Sequence, residues 1–245
     1  MTITPWTPWT PYCGPAPDPA DVLGRWNGDP LLLAGLGLLA ALGLLMMRRH
    51  RGNPAVLGAV AVLAITFVSP LCALSSALFT ARTVHHLLLL LAAAPLLAMS
   101  LPQLKAPRLV LATAVQALIF WAWHAPDLYA QALSNDLIYW VMQVSILGSA
   151  VWFWAAVRAS NAAAAVAGLL AAMLLMGLLG ALIVFAGEPL YAPHFASTLA
   201  WGMTPLEDQQ AAGLIMWAPA AAAYLLVALW RIAGLFRGAE TVRPA

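Results

Sequence analysis

Charge is what this 245-residue chain has least of: only 8% of its residues are Asp, Glu, Lys or Arg, and Lys105 is its single lysine. Soluble domains carry roughly 25%, so an ordinary soluble enzyme is excluded, and a formal net charge of +2 leaves no basic face for nucleic acid. Two cysteines, Cys13 and Cys72, are too few for a disulfide-built scaffold. One lies in a polar tail and the other at membrane depth, so Cys72 is expected as a buried, unpaired thiol that packs like a small hydrophobe. There is no Walker loop, no dinucleotide fingerprint, no nucleophile and base at motif spacing, and no internal repeat. The chain is not expected to be an enzyme.

In place of charge stand long apolar runs, with 63% hydrophobic residues and a mean hydropathy of +0.87. Seven intervals carry no Asp, Glu, Lys or Arg: 30–47, 52–81, 83–104, 109–126, 137–157, 159–187 and 209–230. Each is about as long as the ~17–25 residues a helix needs to cross the hydrocarbon. Leu31, Leu32 and Leu33, like Ala162 to Ala165, are apolar on every face, which favours helices over the alternating strands of a barrel. The expected fold is all-α, a polytopic bundle of seven transmembrane helices over residues 30–232, with a Pro- and Trp-rich tail before it (1–29) and a short tail after it (233–245).

Alternate loops then differ in sign. Arg48, Arg49, Arg51, Lys105, Arg108, Arg158, Arg231, Arg237 and Arg243 fall on one side, leaving Arg25 and Arg82 on the other, and all acidic residues but Glu240 lie opposite the basic set. The positive-inside rule therefore places the N-terminus outside and the C-terminus in the cytoplasm. The first thirty residues lack a basic start and an apolar stretch, so they read as an extended outer tail with polyproline character and not as a cleaved signal.

Polar groups at the outer side are the candidates for function, because they are costly in or beside a membrane. The third span opens Phe79-Thr80-Ala81-Arg82-Thr83-Val84-His85-His86, where spacing of four puts Arg82 and His86 on one helical face and turns His85 about 100° away. The fourth ends in Trp123-His124-Ala125-Pro126, and the fifth carries Tyr139, Met142 and Gln143 on one face. The long outer loop adds Glu188, Tyr191, His194, Glu207, Asp208 and Gln209. His50 sits in the basic cluster on the opposite side. Clustered imidazoles suit copper, zinc or iron, and a thioether tilts the set toward monovalent copper. The plainer alternative is that outer His, Trp and Tyr are interfacial anchors and hydrogen-bonding core, favoured for His85; Met142 alone is more often packing than ligand.

Several stretches resemble one family. Arg25-Trp26-Asn27-Gly28-Asp29-Pro30, Leu78-Phe79-Thr80-Ala81 leading to His86-Leu87-Leu88-Leu89, Ala94-Pro95-Leu96-Leu97, Trp123-His124-Ala125-Pro126-Asp127-Leu128-Tyr129, Pro189-Leu190-Tyr191, and Asp208-Gln209-Gln210 running to Met216-Trp217 are similar to the CtaG-type assembly factors of bacterial caa-type cytochrome c oxidases, in the same order over about residues 25–230. The resemblance implies a bacterial inner (plasma) membrane protein with the bilayer and terminal oxidase subunits as partners and no nucleic acid. It implies a role in oxidase maturation, by delivering copper or by stabilising an oxidase subunit at the outer face. The family's third span usually begins His-x-x-x-His, where this chain has Arg82 and His86, and its fifth carries another such pair, where this chain has Tyr139 and Gln143.

Two versions of the site follow. In one, copper is held by His86 and His124 with Met142 as soft third ligand and His85 as substitute, Asp208 orienting an imidazole. In the other, Arg82 pairs with Asp208 or Glu207 and fixes the long loop, while Tyr139, Gln143, Gln209, Trp123 and Asp29 serve structure or docking. A copper-transporting protein and a haem protein with His86 and His124 as axial ligands are the alternatives. A retinal-type photoreceptor is excluded, since the last span has no lysine.

Overall fold

Helix ends come first, because the few polar residues of this chain are spent on them. Asp29 accepts from the amides of Leu31 (2.8 Å) and Leu32 (3.2 Å), with Pro30 at the first helical position, and starts α1, Pro30–Arg48. Ser69, Asn135 and Asn161 do the same for α3 (Pro70–Ala77), α8 (Asp136–Ala159) and α9 (Ala162–Phe185). Thr204 and Glu207 form a reciprocal capping box on α10, Pro205–Trp217. Each satisfies amides that a helix start leaves without partners. The remaining helices are α2 (Ala55–Phe67), α4 (Phe79–Leu88), α5 (Ala94–Ser100), α6 (Leu109–Trp123), α7 (Pro126–Ala132) and α11 (Pro219–Glu240).

The computed structural model describes residues 11–49, 52–103 and 108–240, the side chains of 235–240 excepted. His50, Arg51, Lys105, the start of the tail read as polyproline-like and the last residues of the tail expected inside lie outside the described residues. Within them the regular structure is helical throughout, and five helical stretches are long and apolar enough to cross a membrane. The count rises to seven if two bent pairs are each one span: α2 with α3, bent by 46°, and α6 with α7, bent by 77°. Both bends sit at X-Pro steps, Ser69-Pro70 and Ala125-Pro126, where proline disfavours helical backbone in the residue before it.

Proline also shapes the third span. Pro95, the second residue of α5, has no amide to continue the ladder from α4, and residues Leu89–Ala93 before it adopt a π-helical turn that joins the two helices. Trp154 of α8 donates to the Leu90 carbonyl inside that turn at 2.7 Å. The irregularity lies directly below His85 and His86.

Helices α8 to α11 with α4 and α6 form the well-packed body. Gly180 of α9 and Gly213 of α10 let two backbones meet: a Cβ built on either would lie 2.7 Å from the other's carbonyl oxygen. Of the glycines that could permit close packing, Gly180 does and Gly168 does, against Leu109, whereas Gly35 and Gly37 meet nothing within 4 Å. Helix α1 is peripheral, with only Gly43 fully buried and Leu31, Leu33, Leu38 and Leu42 exposed.

The two ends of the bundle differ. At the arginine-rich end, Arg158 donates to the carbonyls of Met99 (2.9 Å) and Leu101 (2.6 Å), and Arg231 to that of Ser160 (2.8 Å), capping helix C-termini. At the other end lie the 11–29 segment, α3, α7 and the 186–204 loop. There Cys13 and Cys72 form a disulfide with their Cα atoms 5.3 Å apart. The expectation of an unpaired Cys72 is therefore overturned. It failed because α3 ends the second span at an angle, which lifts Cys72 to the surface the tail crosses. The same segment is tied by Asn27 N to Val68 O (2.9 Å), and Trp201 donates to Pro17 O (3.2 Å).

Candidate functional site

Beneath the disulfide end buried polar side chains gather into one cluster, a chamber filled by the side chains themselves. Helix α4 brings Arg82, Thr83, His85 and His86, the end of α6 brings His124, α7 brings Tyr129, α8 brings Tyr139 and Gln143, and the long loop brings His194 and Thr198. All are buried, and Arg82 is wholly so at 0% exposure. Their convergence follows from the local sequence. Leu78 is extended, so α4 starts abruptly at Phe79 and points its first two turns inward. The break at Ala125-Pro126 turns the chain so that α7 lies over the chamber.

The arrangement of the imidazoles is specific. The rings of His86 and His124 lie 5.7 Å apart between centroids, and those of His85 and His86 5.8 Å. His124 Nδ1 is engaged with the Phe120 carbonyl at 2.7 Å, leaving Nε2 without a partner. Both nitrogens of His85 and of His86 lack partners, while Arg82 lies beside the Tyr129 and Tyr139 hydroxyls and Gln143 beside that of Tyr139. Native interiors leave few buried polar atoms unpaired, so such a concentration singles this cluster out as the candidate site. His85 is no interfacial anchor: it is fully buried, edge-on to Phe67 at 4.9 Å.

Arg82 does not pair with Asp208 or Glu207. Among the described residues the single ion pair is the exposed one of Arg25 with Asp21. The guanidinium instead sits over the Tyr139 ring, 5.3 Å from its centroid, a cation–π contact in a desolvated setting. Glu207 is occupied by the capping box, accepting from Thr204 N and Oγ1. Asp208 orients no imidazole. Its carboxylate accepts from the amides of Phe79 (2.6 Å) and Thr80 (3.0 Å), and Thr80 Oγ1 donates to its carbonyl (2.8 Å), so Asp208 caps α4 from the neighbouring helix α10. The sequence reading missed this because Leu78 offers α4 no side-chain cap of its own and nothing local reveals that the acceptor comes from 128 residues away.

The other expected residues fall into place around the chamber. Gln209 pins the long loop, accepting from Leu190 N (2.6 Å) and donating to the carbonyls of Ile183 (3.2 Å) and Glu188 (3.3 Å). Trp123 donates to Ser145 Oγ of α8 at 2.8 Å. Met142 is fully buried in the apolar core. Asp29 is the α1 cap and accepts from the Tyr12 hydroxyl at 2.7 Å, which holds its carboxyl below the usual range.

A roof of aromatics covers the chamber. Phe79 stacks on Tyr191 at 3.7 Å and meets Tyr129 edge-on at 5.3 Å, while Tyr191 donates to the His124 carbonyl at 3.0 Å. Tyr129 bonds His194 Nε2 at 2.6 Å. Burial first, then the charge of Arg82, pushes His194 down to about 3, so this imidazole is neutral at physiological pH. Tyr12 stacks on Tyr139 at 5.0 Å, and Cys13 Sγ lies 3.5 Å from the Tyr139 hydroxyl, so the disulfide closes the lid over Arg82.

The family model of the cytochrome c oxidase caa3 assembly factors (Caa3_CtaG) matches residues 107–238, more than half of the chain. The chain belongs to that family. No curated protein and no solved structure matches it. The matched stretch runs from the start of α6 through most of α11 and so holds His124, Tyr139, Met142, Gln143, His194 and Asp208, whereas Arg82, His85 and His86 lie ahead of it. Membership in an assembly-factor family fits a non-catalytic role in oxidase maturation. Among the described residues no three His, Cys, Asp or Glu side chains converge as a metal-ligand group, and both cysteines are consumed by the disulfide. Two imidazoles at the His86 to His124 spacing could share one ion, but Arg82 introduces a positive charge on the same helical face. As a resident metal centre the donor set does not fit.

Proposed function

We propose that this assembly factor acts by holding a terminal oxidase subunit during maturation, with its disulfide end facing the outside of the bacterial plasma membrane. The observation that carries this reading is Arg82. It is fully buried among the histidines, and its guanidinium has Tyr129 and Tyr139 beside it and no carboxylate among the described residues, where a copper-loading site would want a soft anionic or neutral donor. Support for the orientation comes from two directions. Basic residues crowd the opposite end, and a disulfide persists in an oxidising compartment. The buried rings of Phe79, Tyr129 and Tyr191 beneath Tyr12, with Gln209 and the Asp208 cap, support the disulfide end in a defined shape on which a subunit would dock. Seven spans, with each bent pair counted as one, make the two orientations consistent.

A second reading, copper handed on as cargo through His86 and His124, is favoured by their ring spacing and by the three unpartnered nitrogens between them. One experiment separates the two. In a deletion strain complemented with His86→Ala, His124→Ala protein, oxidase assembly is expected to proceed, and a tagged parent chain should crosslink to an oxidase subunit. Loss of oxidase activity restored by added copper would instead establish delivery through the two imidazoles and sink the holding role.

A further inference from the structure

At the arginine-rich end, away from the chamber, α6 and α9 part to leave a groove of about 960 Å³ between Val110 and Ala114 on one side and Ala164, Ala167 and Ala171 on the other. Its volume lies at the top of the range of small-molecule sites, roughly 300–1,000 Å³. Small side chains make it: Ala114, Ala164 and Ala167 are exposed along its walls, and Gly168 lets Leu109 settle against α9, where a Cβ would lie 2.9 Å from Leu109 Cδ2. Its inner end reaches Leu175, whose carbonyl takes the Trp121 indole of α6 at 3.1 Å and so ties the two helices together. From Asn161 at the mouth to Leu175, α9 rises about 20 Å at roughly 1.5 Å per residue. One leaflet holds about 15 Å of hydrocarbon, so the groove runs the depth of a leaflet and opens at its interface.

The mouth is what selects the occupant. Arg108, exposed, immediately precedes Leu109 in the lining. Arg231 reaches the mouth by donating through one terminal nitrogen to the Ser160 carbonyl at 2.8 Å, and its other terminal nitrogen bonds no described residue. Asn161, also exposed there, has its side-chain oxygen committed to Ala164 N at 2.9 Å, so it offers an occupant only N–H groups. Neither α6 nor α9 contains an Asp or Glu, so the charge at the mouth has one sign. A helix of a second membrane protein would fill the groove and leave both guanidinium groups without a counter-charge, whereas basic pockets between helices on the cytoplasmic side suit anionic headgroups. We propose that this groove binds an anionic phospholipid, its phosphate taken by Arg108, Arg231 and Asn161 and one acyl chain lying along the alanine walls toward Trp121. This inference stands apart from the holding role, since it uses the opposite end of the bundle and none of the chamber's residues.

The test is native mass spectrometry of the full-length protein, delipidated in detergent and titrated with dioleoylphosphatidylglycerol, dioleoylphosphatidylcholine or inorganic phosphate. One phosphatidylglycerol per chain is expected to bind saturably. Phosphatidylcholine, whose choline would meet the same cations, should bind at least about tenfold more weakly, and phosphate alone should not be retained. Arg108→Gln should weaken phosphatidylglycerol binding about fivefold, the effect of one cation near a headgroup. Ala167→Phe should abolish the saturable binding by filling the groove, and because Ala167 is exposed that variant is expected to fold. Equal affinity for the two lipids, binding that never saturates, or parent-like affinity in either variant would overturn the proposal, and so would retention of phosphate alone, by showing a plain anion site.

Discussion

Removing the Cys13–Cys72 bond should lower stability by an amount that loop entropy sets. The bond closes a loop with a sequence separation of 59, for which the chain-entropy relation gives about 4 kcal/mol. In the bilayer α1 and α2 stay inserted after the bundle comes apart, so the freely moving part is mainly the segment from Cys13 to Asp29. A loop of about 15 residues still gives about 3 kcal/mol. Cys13→Ser is the cleaner variant, because it leaves a buried Cys72 thiol that packs without a partner, whereas a serine at position 72 would bury a hydroxyl at a fully enclosed site. For a chain of this length 1 kcal/mol corresponds to about 2–4 °C, so the melting temperature should drop by about 6–12 °C. Thermal unfolding of detergent-purified protein, with and without reductant, gives the number. The parent in reductant should match Cys13→Ser, and Cys13→Ser should not respond to reductant at all. Full alkylation of both thiols in protein that has never met reductant would refute the reasoning outright, since the lid over Tyr139 and Arg82 would then not be tied.

Three further outcomes follow from the chamber. Arg82→Met removes a buried charge that has no carboxylate partner and should leave the protein as stable or up to about 3 kcal/mol more stable, while oxidase assembly falls; a marked loss of stability in thermal melts would show that its contacts with Tyr129 and Tyr139 outweigh the cost of burying the charge. Asp208→Ala strips both capped amides of α4 and should destabilise by about 2–3 kcal/mol, with Asp208→Asn closer to the parent, both read from the same melts. His194 has its folded pKa pushed to about 3 from the ordinary 6.5, so the unfolded chain binds the extra proton between those values. Stability is full above pH 6.5, should fall by about 2 kcal/mol at pH 5, and continues to fall until pH 3. His194→Gln should flatten that slope, and an unchanged slope in that variant would assign the acid sensitivity elsewhere.

The spans were legible because each is a charge-free run bounded by charged residues, with Pro or Asn beside several of them, and many of those boundary residues do what their chemistry predicts. Asp29, Asn135 and Asn161 cap helices, and Arg158 and Arg231 close the opposite ends. Less legible were the bends. A run such as 52–81 looks continuous to a charge count, and only Ser69-Pro70 betrays that it is two helices at 46°. Arg82, read in the opening of the third span on one face with His86, lies inside α4 as that spacing implied. Convergence of His86 with His124 followed from their common depth. The partners of Asp208 and Cys72 did not, because a cap and a disulfide joining segments 128 and 59 residues apart leave no local trace.

On the holding role proposed above, the decisive residue is Arg82. Spacing of four places its side chain about one turn from His86, roughly 6 Å away. At that distance a unit cation bound by the imidazole would be repelled by about 3 kcal/mol at an effective dielectric of 20, which is about a hundredfold in affinity. Tyr139 turns the same charge to structural use, its ring facing the guanidinium while the tail packs on its other neighbours through Tyr12 and Cys13. The charge thus opposes a bound metal and favours a closed lid, and a closed lid presents a fixed surface. A protein that transfers an ion must open its site on each cycle. One that holds a subunit gains from a lid locked by a disulfide, a helix cap supplied from another helix and a loop whose start is pinned by Gln209.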